Sequence, residues 1–421
     1  MRVAVLGAGS AGHMAVAQIA HYLPTATITH FYDPAIPSIG VGEGTTPAFT
    51  DWAQRVLGWD MGFLRDRCDA TQKAGIVFEG WGDGGDYTHF FGTVEGVACH
   101  LSAEKLAAEL EQRSAATVVP TRVHAVESTD RTATITTDDG VEAFDVVLDA
   151  RGFPLELGHD QVALDCVPTD AALLVRGPTC APRDRTRAVA RPHGWIFVIP
   201  LGSDTAYGYV HTHAERDLVA VDFDAFLVEE SVVPTTERRS LRFPNYRQRS
   251  LVDGVVFRIG NRAAFVEPLE ATSLGLIVLE LQVATAAILA GTLKGDLAAT
   301  AAAAGASLAT TIDETASFVG WHYACGARFD TPFWHRAEAA FDRWFERQAA
   351  GHRRRFDEYA TRGAALTEQL AQAQTIPEVD ALLAPGDTEL GTFGGFLDAS
   401  FAKVGHGIGW FDNADLFPLN P

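Results

Sequence analysis

Two side chains in this sequence stand out chemically, Lys73 and Glu270. Lys73 lies in Thr71-Gln72-Lys73-Ala74-Gly75-Ile76-Val77-Phe78-Glu79, where a small and apolar run follows the amine. A cation carried into a half-buried strand is costly to desolvate. It therefore snorkels to water, pairs with an anion, or has its pKa pushed down toward nucleophilic chemistry. Glu270 is the second acid of Glu267-Pro268-Leu269-Glu270-Ala271-Thr272-Ser273, directly ahead of a long apolar run. A carboxylate there caps a helix start or pairs with a cation. A strand-start lysine and a helix-start acid each have an ordinary structural role. What favours chemistry is a nucleotide fingerprint upstream of both.

The elements that must position them begin at the N-terminus. Residues 2–6 read as an apolar strand, Gly7-Ala8-Gly9-Ser10-Ala11-Gly12 opens a helix running to about Tyr22, and a second strand over 26–31 leads to Asp33. Gly7 permits a tight turn, Gly9 lets backbone approach a pyrophosphate, and Gly12 lets helix and strand pack closely. The helix start, at Ser10 and Ala11, offers N–H groups and a positive dipole end to phosphate. Asp33, about twenty residues beyond, stands where an acid holds a ribose hydroxyl. Next comes Ile36-Pro37-Ser38-Ile39-Gly40-Val41-Gly42-Glu43-Gly44-Thr45-Thr46-Pro47. Its place after the ribose acid predicts a strap across the cofactor, through Ile39, Gly40, Val41, Gly42 and Glu43, and a long surface turn is the plainer alternative.

Composition narrows the class. The chain has 421 residues, 47% of them hydrophobic and 21% charged, which suits a large globular enzyme with more than one subdomain. The formal net charge of −21 argues against nucleic acid or an anionic membrane as partner. Five scattered cysteines without a C-x-x-C pair predict reduced thiols in the cytoplasm, with neither a disulfide frame nor a metal site. No signal peptide is expected, because the chain starts directly on a strand. The apolar segment 274–293 is interrupted by Glu280 and Gln282, which predicts a buried core helix, not a membrane span.

Further along, a helix is expected near 105–113 and a hairpin at Asp138-Asp139-Gly140. The apolar run Val146-Val147-Leu148 into Asp149-Ala150-Arg151-Gly152 reads as a parallel strand ending beside the nucleotide. Residues 170–215 hold several alternating strands, including His193 to Leu201, and predict an antiparallel sheet. A core strand over 255–259 ends at Gly260-Asn261, a second glycine approach to the cofactor. From about Ser273 the chain reads as mostly helical. The expected class is α/β: an FAD-binding βαβ domain of the glutathione-reductase/hydroxylase type, discontinuous over 1–158 and 250–310. An antiparallel substrate-side sheet covers 159–249, and a helical C-terminal part covers 311–421. The fingerprint alone leaves FAD and NAD open. The long interval before the return strand, the antiparallel sheet and the Gly260 approach favour FAD, and the single G-x-G-x-x-G implies reduction by another protein.

These segments together resemble a family, the flavin-dependent halogenases related to the tryptophan halogenases. The likeness runs over most of the chain. It rests on residues 36–47, Lys73 in Gln72-Lys73-Ala74-Gly75-Ile76-Val77-Phe78, 194–201, 208–210, 260–273, and His322-Tyr323 with Asp330-Thr331-Pro332-Phe333-Trp334. It implies that reduced FAD and O2 oxidise chloride or bromide to hypohalous acid, which travels through a tunnel to a lysine. Lys73 matches that lysine, and Glu270 matches the glutamate that steadies the cation formed on an attacked arene. Thr272 and Ser273 match backbone positions that bind halide. The cofactor contacts implied are Gly7, Gly9, Ser10, Ala11, Gly12, Asp33, 39–43, Val123, Gly260 and Asn261. A separate NAD(P)H-dependent flavin reductase is the implied partner, secondary-metabolite biosynthesis the implied setting, and a homodimer is compatible with both.

Two departures bear on specificity. The family's W-x-W-x-I-P is here Trp195-Ile196-Phe197-Val198-Ile199-Pro200, with phenylalanine at the second aromatic that shields flavin from substrate. The interval from Lys73 to Trp195 is also shorter than in enzymes acting on free tryptophan. The expected substrate is thus an electron-rich aromatic such as an indole, a tryptophan-like compound or a peptide-borne ring. Trp321 and Tyr323, with Trp81, Phe329 and Trp334, are candidates to stack on it, although core packing is their commoner use. The competing reading is a flavin monooxygenase or oxidase without halide use.

Overall fold

Val3, Ala4, Val5 and Leu6 are all fully buried, and they explain why the first strand reads as an unbroken apolar run. Val3 and Val5 face one core, with Met14, Ile19, Leu274 and Leu281. Ala4 and Leu6 face another, with Phe31, Ile135 and Phe144. A strand covered on both faces has no polar side, as parallel sheets require. The computed structural model describes residues 1–36, 42–82, 85–91, 97–154, 156–372, 393–394, 396 and 398–407.

The chain divides into two compact units, Met1–Thr71, Cys99–Ala163 and Phe243–Ile312 against Gln72–Ala98, Leu164–Arg242 and Asp313–Pro421. The first unit holds a six-stranded sheet in the order Val252–Asp253, Val256–Arg258, Val146–Asp149, Arg2–Leu6, Thr27–Tyr32, Thr117–Pro120. All its pairings are parallel except that of the two-residue edge strand. The nucleotide helix Ser10–Tyr22 and the core helix Thr272–Lys294 cover one face. A three-stranded meander, Ala125–Ser128, Ala133–Thr137 and Gly140–Phe144, covers the other. The core helix is long and apolar enough to cross a membrane. Here it packs against the nucleotide helix, with Glu280 and Thr285 on its buried side.

The second unit is built on a seven-stranded sheet in the order Arg239–Arg242, Ala171–Gly177, Thr205–His211, Gly194–Pro200, Arg185–Arg191, Gly75–Glu79, Tyr87–Phe90. Only the pairing of Arg185–Arg191 with Gly75–Glu79 is parallel. The helix Arg216–Glu229 presses Val219, Phe223, Phe226 and Leu227 onto Val175, Ile196, Val198 and Tyr209 of that sheet. Residues 72–98, expected with the nucleotide-binding part, cluster with this unit because two of their strands hydrogen-bond into its sheet. The alanine-rich stretch begins the 28-residue helix Leu297–Ala324, and the boundary between units falls within that helix. Helices Pro332–Arg347, Ala350–Gln372 and Asp398–Gly407 also belong to this unit. No disulfide joins any of the five cysteines, all of which lie among the described residues.

Candidate active site

In the first unit the fingerprint is locked at Gly7 and Gly12 by contacts too close for any side chain. A Cβ at Gly12 would lie 1.8 Å from the carbonyl oxygen of Gly7, so only glycine fits. That carbonyl also accepts from His30 Nε2 at 2.7 Å, while the Gly7 N–H donates to Phe31 O at 2.8 Å. Gly9 stands at the helix N-cap, extended, with Ser10 and Ala11 in the first turn. Asp33 follows the second strand, and its Oδ1 accepts from the Ala35 N–H at 2.9 Å. Gly260 comes to the same place from far along the chain: a Cβ there would lie 2.5 Å from the Cβ of Ala11. Asn261 is held in that turn by the Tyr246 hydroxyl, which donates to its carbonyl at 2.6 Å.

Asp149, at the end of its strand, anchors this corner. Arg151 binds it through Nε and Nη2 at 2.8 Å each, and Arg262 Nε adds a contact at 3.2 Å. Burial alone raises the Asp149 carboxyl, but the bonds and charge of Arg151 and the charge of Arg262 outweigh it and hold the carboxyl below its ordinary range. Arg151 Nη1 also reaches the Val123 carbonyl at 3.5 Å, which ties the expected Val123 contact to the corner.

Of the strap, Ile39, Gly40 and Val41 lie outside the described residues. Gly42, Glu43 and Gly44 form a short strand paired with Ser102, Leu101 and His100. Glu43 is half-buried as a residue, yet its Oε2 is buried without a hydrogen-bond partner, and burial pushes its carboxyl up to about 7. Two residues after Gly44, Thr46 abuts the core helix at Gly275, where an added Cβ would lie 2.9 Å from Thr46 Oγ1. The strap thus ends against the first turns of the helix that follows Glu270.

Glu270 is fully buried, one residue before Ala271, whose φ of 55° turns the chain into the helix. Thr272, the first helical residue, is buried, and its Oγ1 has no hydrogen-bond partner. Ser273 is half-buried. A hydroxyl left unpaired at the positive end of a 23-residue helix fits an anion such as a halide. The unpaired acid of the strap and the close approach of Gly260 to Ala11 fit a dinucleotide lying over the fingerprint.

The second unit carries Lys73, at the end of strand Thr71–Lys73 and only 1% exposed. Its Nζ sits 4.5 Å from the centre of the Phe91 ring, which offers the amine a π face in place of water. His89 meets Phe91 edge-on at 5.2 Å. Sequence reasoning missed Phe91. No signal in the sequence marks it, because its place follows from the pairing of Tyr87–Phe90 with the strand after the lysine.

Trp195 and Phe197 share one face of their strand, ring centres 6.2 Å apart. Phe197 lies over Gly208 of the next strand so closely that a Cβ there would be 2.1 Å from its ring. Trp195 Nε1 is buried without a partner. Tyr323 joins Trp81 and Trp334 at 5.3 and 5.8 Å. Trp321 instead packs against Phe356 and Phe401 among the C-terminal helices.

The profile of the tryptophan halogenase family matches residues 2–102 and 96–369. Tryptophan 7-halogenase RebH of Lentzea aerocolonigenes is 25% identical over 426 residues, 79% of this chain and 78% of its own. Among solved structures, the flavin-dependent halogenase Xcc4156 of Xanthomonas campestris superposes with a TM-score of 0.75 at 23% identity, covering 97% of this chain and 88% of its own. MibH, a lanthipeptide tryptophan 5-halogenase, gives 0.72 at 23%, covering 100% and 88%. These two likenesses concern the fold. The profile spans most of the chain, and the protein therefore belongs to the tryptophan halogenase family and is a flavin-dependent halogenase.

Proposed function

We propose that this enzyme uses reduced FAD, O2 and chloride or bromide to halogenate an electron-rich aromatic carbon. The observation that carries the proposal is the Lys73 amine, almost fully buried and held over the Phe91 ring. An amine kept from water can hold an electrophilic halogen that bulk solvent would otherwise consume. Bound reduced FAD supplies, with O2, the oxidation of halide to hypohalous acid. Once deprotonated, the Lys73 Nζ takes the halogen from that acid, an N–halogen bond forms, and water leaves with one amine proton. An aromatic carbon then takes the halogen as the N–halogen bond breaks. Glu270 receives the ring proton, and a proton from solvent restores the amine. Thr272 and Ser273 hold halide, and the Gly7–Gly12 turn, Asp33, the strap, Val123, Gly260 and Asn261 hold FAD.

A separate NAD(P)H-dependent reductase would supply the reduced flavin, and cysteines outside any disulfide suit a cytoplasmic setting. The substrate is an indole, a tryptophan-like compound or an aromatic side chain in a peptide. The short interval between Lys73 and Trp195 and the likeness to a lanthipeptide halogenase keep the peptide in that set. A homodimer is an assembly that light scattering tests directly.

With a flavin reductase, NADH, FAD and bromide, Lys73→Ala should lose halogenated product by about 100-fold or more, the scale of a lost catalytic group. FAD affinity should be unchanged. Full halogenation by the variant would refute the role. Phe197 in place of tryptophan favours a second reading, flavin oxygenation without halide use. A wild-type product bearing oxygen and no halogen would establish it.

A further inference from the structure

The core helix Thr272–Lys294 contains one acid, Glu280, and that acid is 2% exposed. Its Oε2 accepts a hydrogen bond from the Gly260 N–H at 2.5 Å. Gly260 has a φ of 56° and lies against Ala11 of the nucleotide helix, and a Cβ there would also lie 3.5 Å from Ile277, one turn before Glu280. Glu280 thus stands directly behind the backbone that meets the fingerprint. We propose that Glu280 is a positioning residue of the cofactor site that links flavin binding to one proton. Neutral, it anchors the Gly260 turn; ionised, it sets a buried negative charge behind the backbone that must receive an anionic dinucleotide. This rests on the reading that the site binds FAD.

A glutamine would satisfy the Gly260 N–H equally well, so satisfaction of a donor alone does not call for an acid. What an acid adds is ionisation. Burial pushes the Glu280 carboxyl up to about 8, and only its bond from Gly260 acts in the opposite direction. Helix Pro47–Trp52, packed on the core helix, carries the exposed Asp51 as its charged group, and Arg247 of Tyr246–Gln248 donates to the Gln248 carbonyl. Arg262 of the Gly260–Arg262 turn is bound to Asp149, which also holds Arg151. On Tyr246–Gln248, the Tyr246 hydroxyl donates to Asn261, and burial raises its pKa well beyond the range of interest. The nucleotide helix offers His13, which burial and the neighbouring His30 keep neutral down to about 4, and the more exposed His21. None of these supplies a cation to an ionised Glu280.

The sign follows from linkage. A carboxyl whose pKa is raised on folding from 4.5 to about 8 binds its proton more tightly in the folded state. Its contribution to stability is therefore largest below 4.5 and falls as pH rises to about 8. A bound anionic dinucleotide favours the neutral acid further, so FAD affinity should fall by up to about tenfold per pH unit above the Glu280 pKa.

The test measures FAD affinity by fluorescence quenching between pH 7 and 9.5, with melting of the FAD-free protein over the same range, for wild type, Glu280→Gln and Glu280→Leu. Wild type should lose affinity progressively above pH 8, while Glu280→Gln matches wild type at pH 7 and holds its affinity to 9.5. Glu280→Leu, which leaves the Gly260 N–H without its acceptor, should bind more weakly at every pH. Identical pH profiles for wild type and Glu280→Gln would overturn the proposal, as would wild-type affinity in Glu280→Leu. If wild type bound no FAD, the flavin reading would fail. The FAD-free melts would then still decide the proton linkage, by whether wild type loses stability relative to Glu280→Gln as pH rises toward 8.

Discussion

At the scale of single residues, an unpaired buried hydroxyl is more informative than a paired one. Thr272 Oγ1 is desolvated at the start of a helix and gains nothing from the protein in return. Replacing it with valine removes the desolvated oxygen at nearly constant volume, so the FAD-free protein should melt slightly higher. If the hydroxyl serves a halide, the KM for bromide should rise about tenfold or more, the worth of one hydrogen bond to a charged group, ~1.5–3 kcal/mol. Steady-state halogenation against bromide concentration reads this, and an unchanged bromide KM would leave the hydroxyl without that role. The residue scale is also where sequence was most uneven. Gly12 was legible because a helix-packing glycine has a fixed offset from the turn, and an added Cβ there would lie only 1.8 Å from the Gly7 carbonyl oxygen. Lys73 was legible through family likeness. Phe91, beneath its amine, was not, because nothing local marks a cross-strand neighbour. Glu280 read only as an interruption of an apolar run, since its partner, Gly260, is twenty residues away.

At the scale of elements, helix geometry separates residues that a linear reading groups. Trp321 and Tyr323 are two apart on Leu297–Ala324, and two helical steps turn a side chain by about 200°. One accordingly meets Phe356 and Phe401, and the other Trp81 and Trp334. The strand Tyr87–Phe90 forms an edge of its sheet, and edges need cover. The terminal helix Asp398–Gly407 supplies it: Lys403 Nζ donates to the Phe90 carbonyl at 3.0 Å, and burial pushes the Lys403 amine below the usual lysine range. Phe91, the ring under Lys73, is the next residue. Lys403→Met should therefore cost about 1 kcal/mol of stability and lower kcat for halogenation while leaving FAD affinity untouched. Lys403→Arg, which keeps a donor, should recover part of both. Chemical denaturation and steady-state kinetics check the pair, and a methionine variant equal to wild type in both would remove the tether from the account.

At the scale of the whole molecule, the chain passes between its two units repeatedly, and no composition shift marks the crossings. A contiguous reading of the nucleotide-binding part takes the N-terminal 163 residues or so. That piece lacks the strand Val256–Arg258, which pairs with Val146–Asp149, and the core helix that covers the nucleotide helix. It should not fold. The ends of the excursions out of the first unit, by contrast, lie close together within that unit. Thr71 Oγ1 meets His100 Nδ1 at 2.9 Å, and Ala163 pairs with Tyr246 across an antiparallel ladder. Insertions enter and leave a domain at neighbouring points of this kind, so short linkers can replace them with little loop-closure cost. A protein that joins Thr71 to Cys99 and Ala163 to Phe243 by short Gly-Ser linkers, and stops at Ile312, should therefore melt cooperatively. It should bind FAD within about tenfold of the intact chain, because the fingerprint, Asp33, Gly260 and Glu280 are all retained. It should form no halogenated product, because Lys73 is gone. Circular dichroism on heating and flavin fluorescence decide the matter. A joined protein without a melting transition, or one that folds and ignores FAD, would show that this unit's order depends on the segments removed.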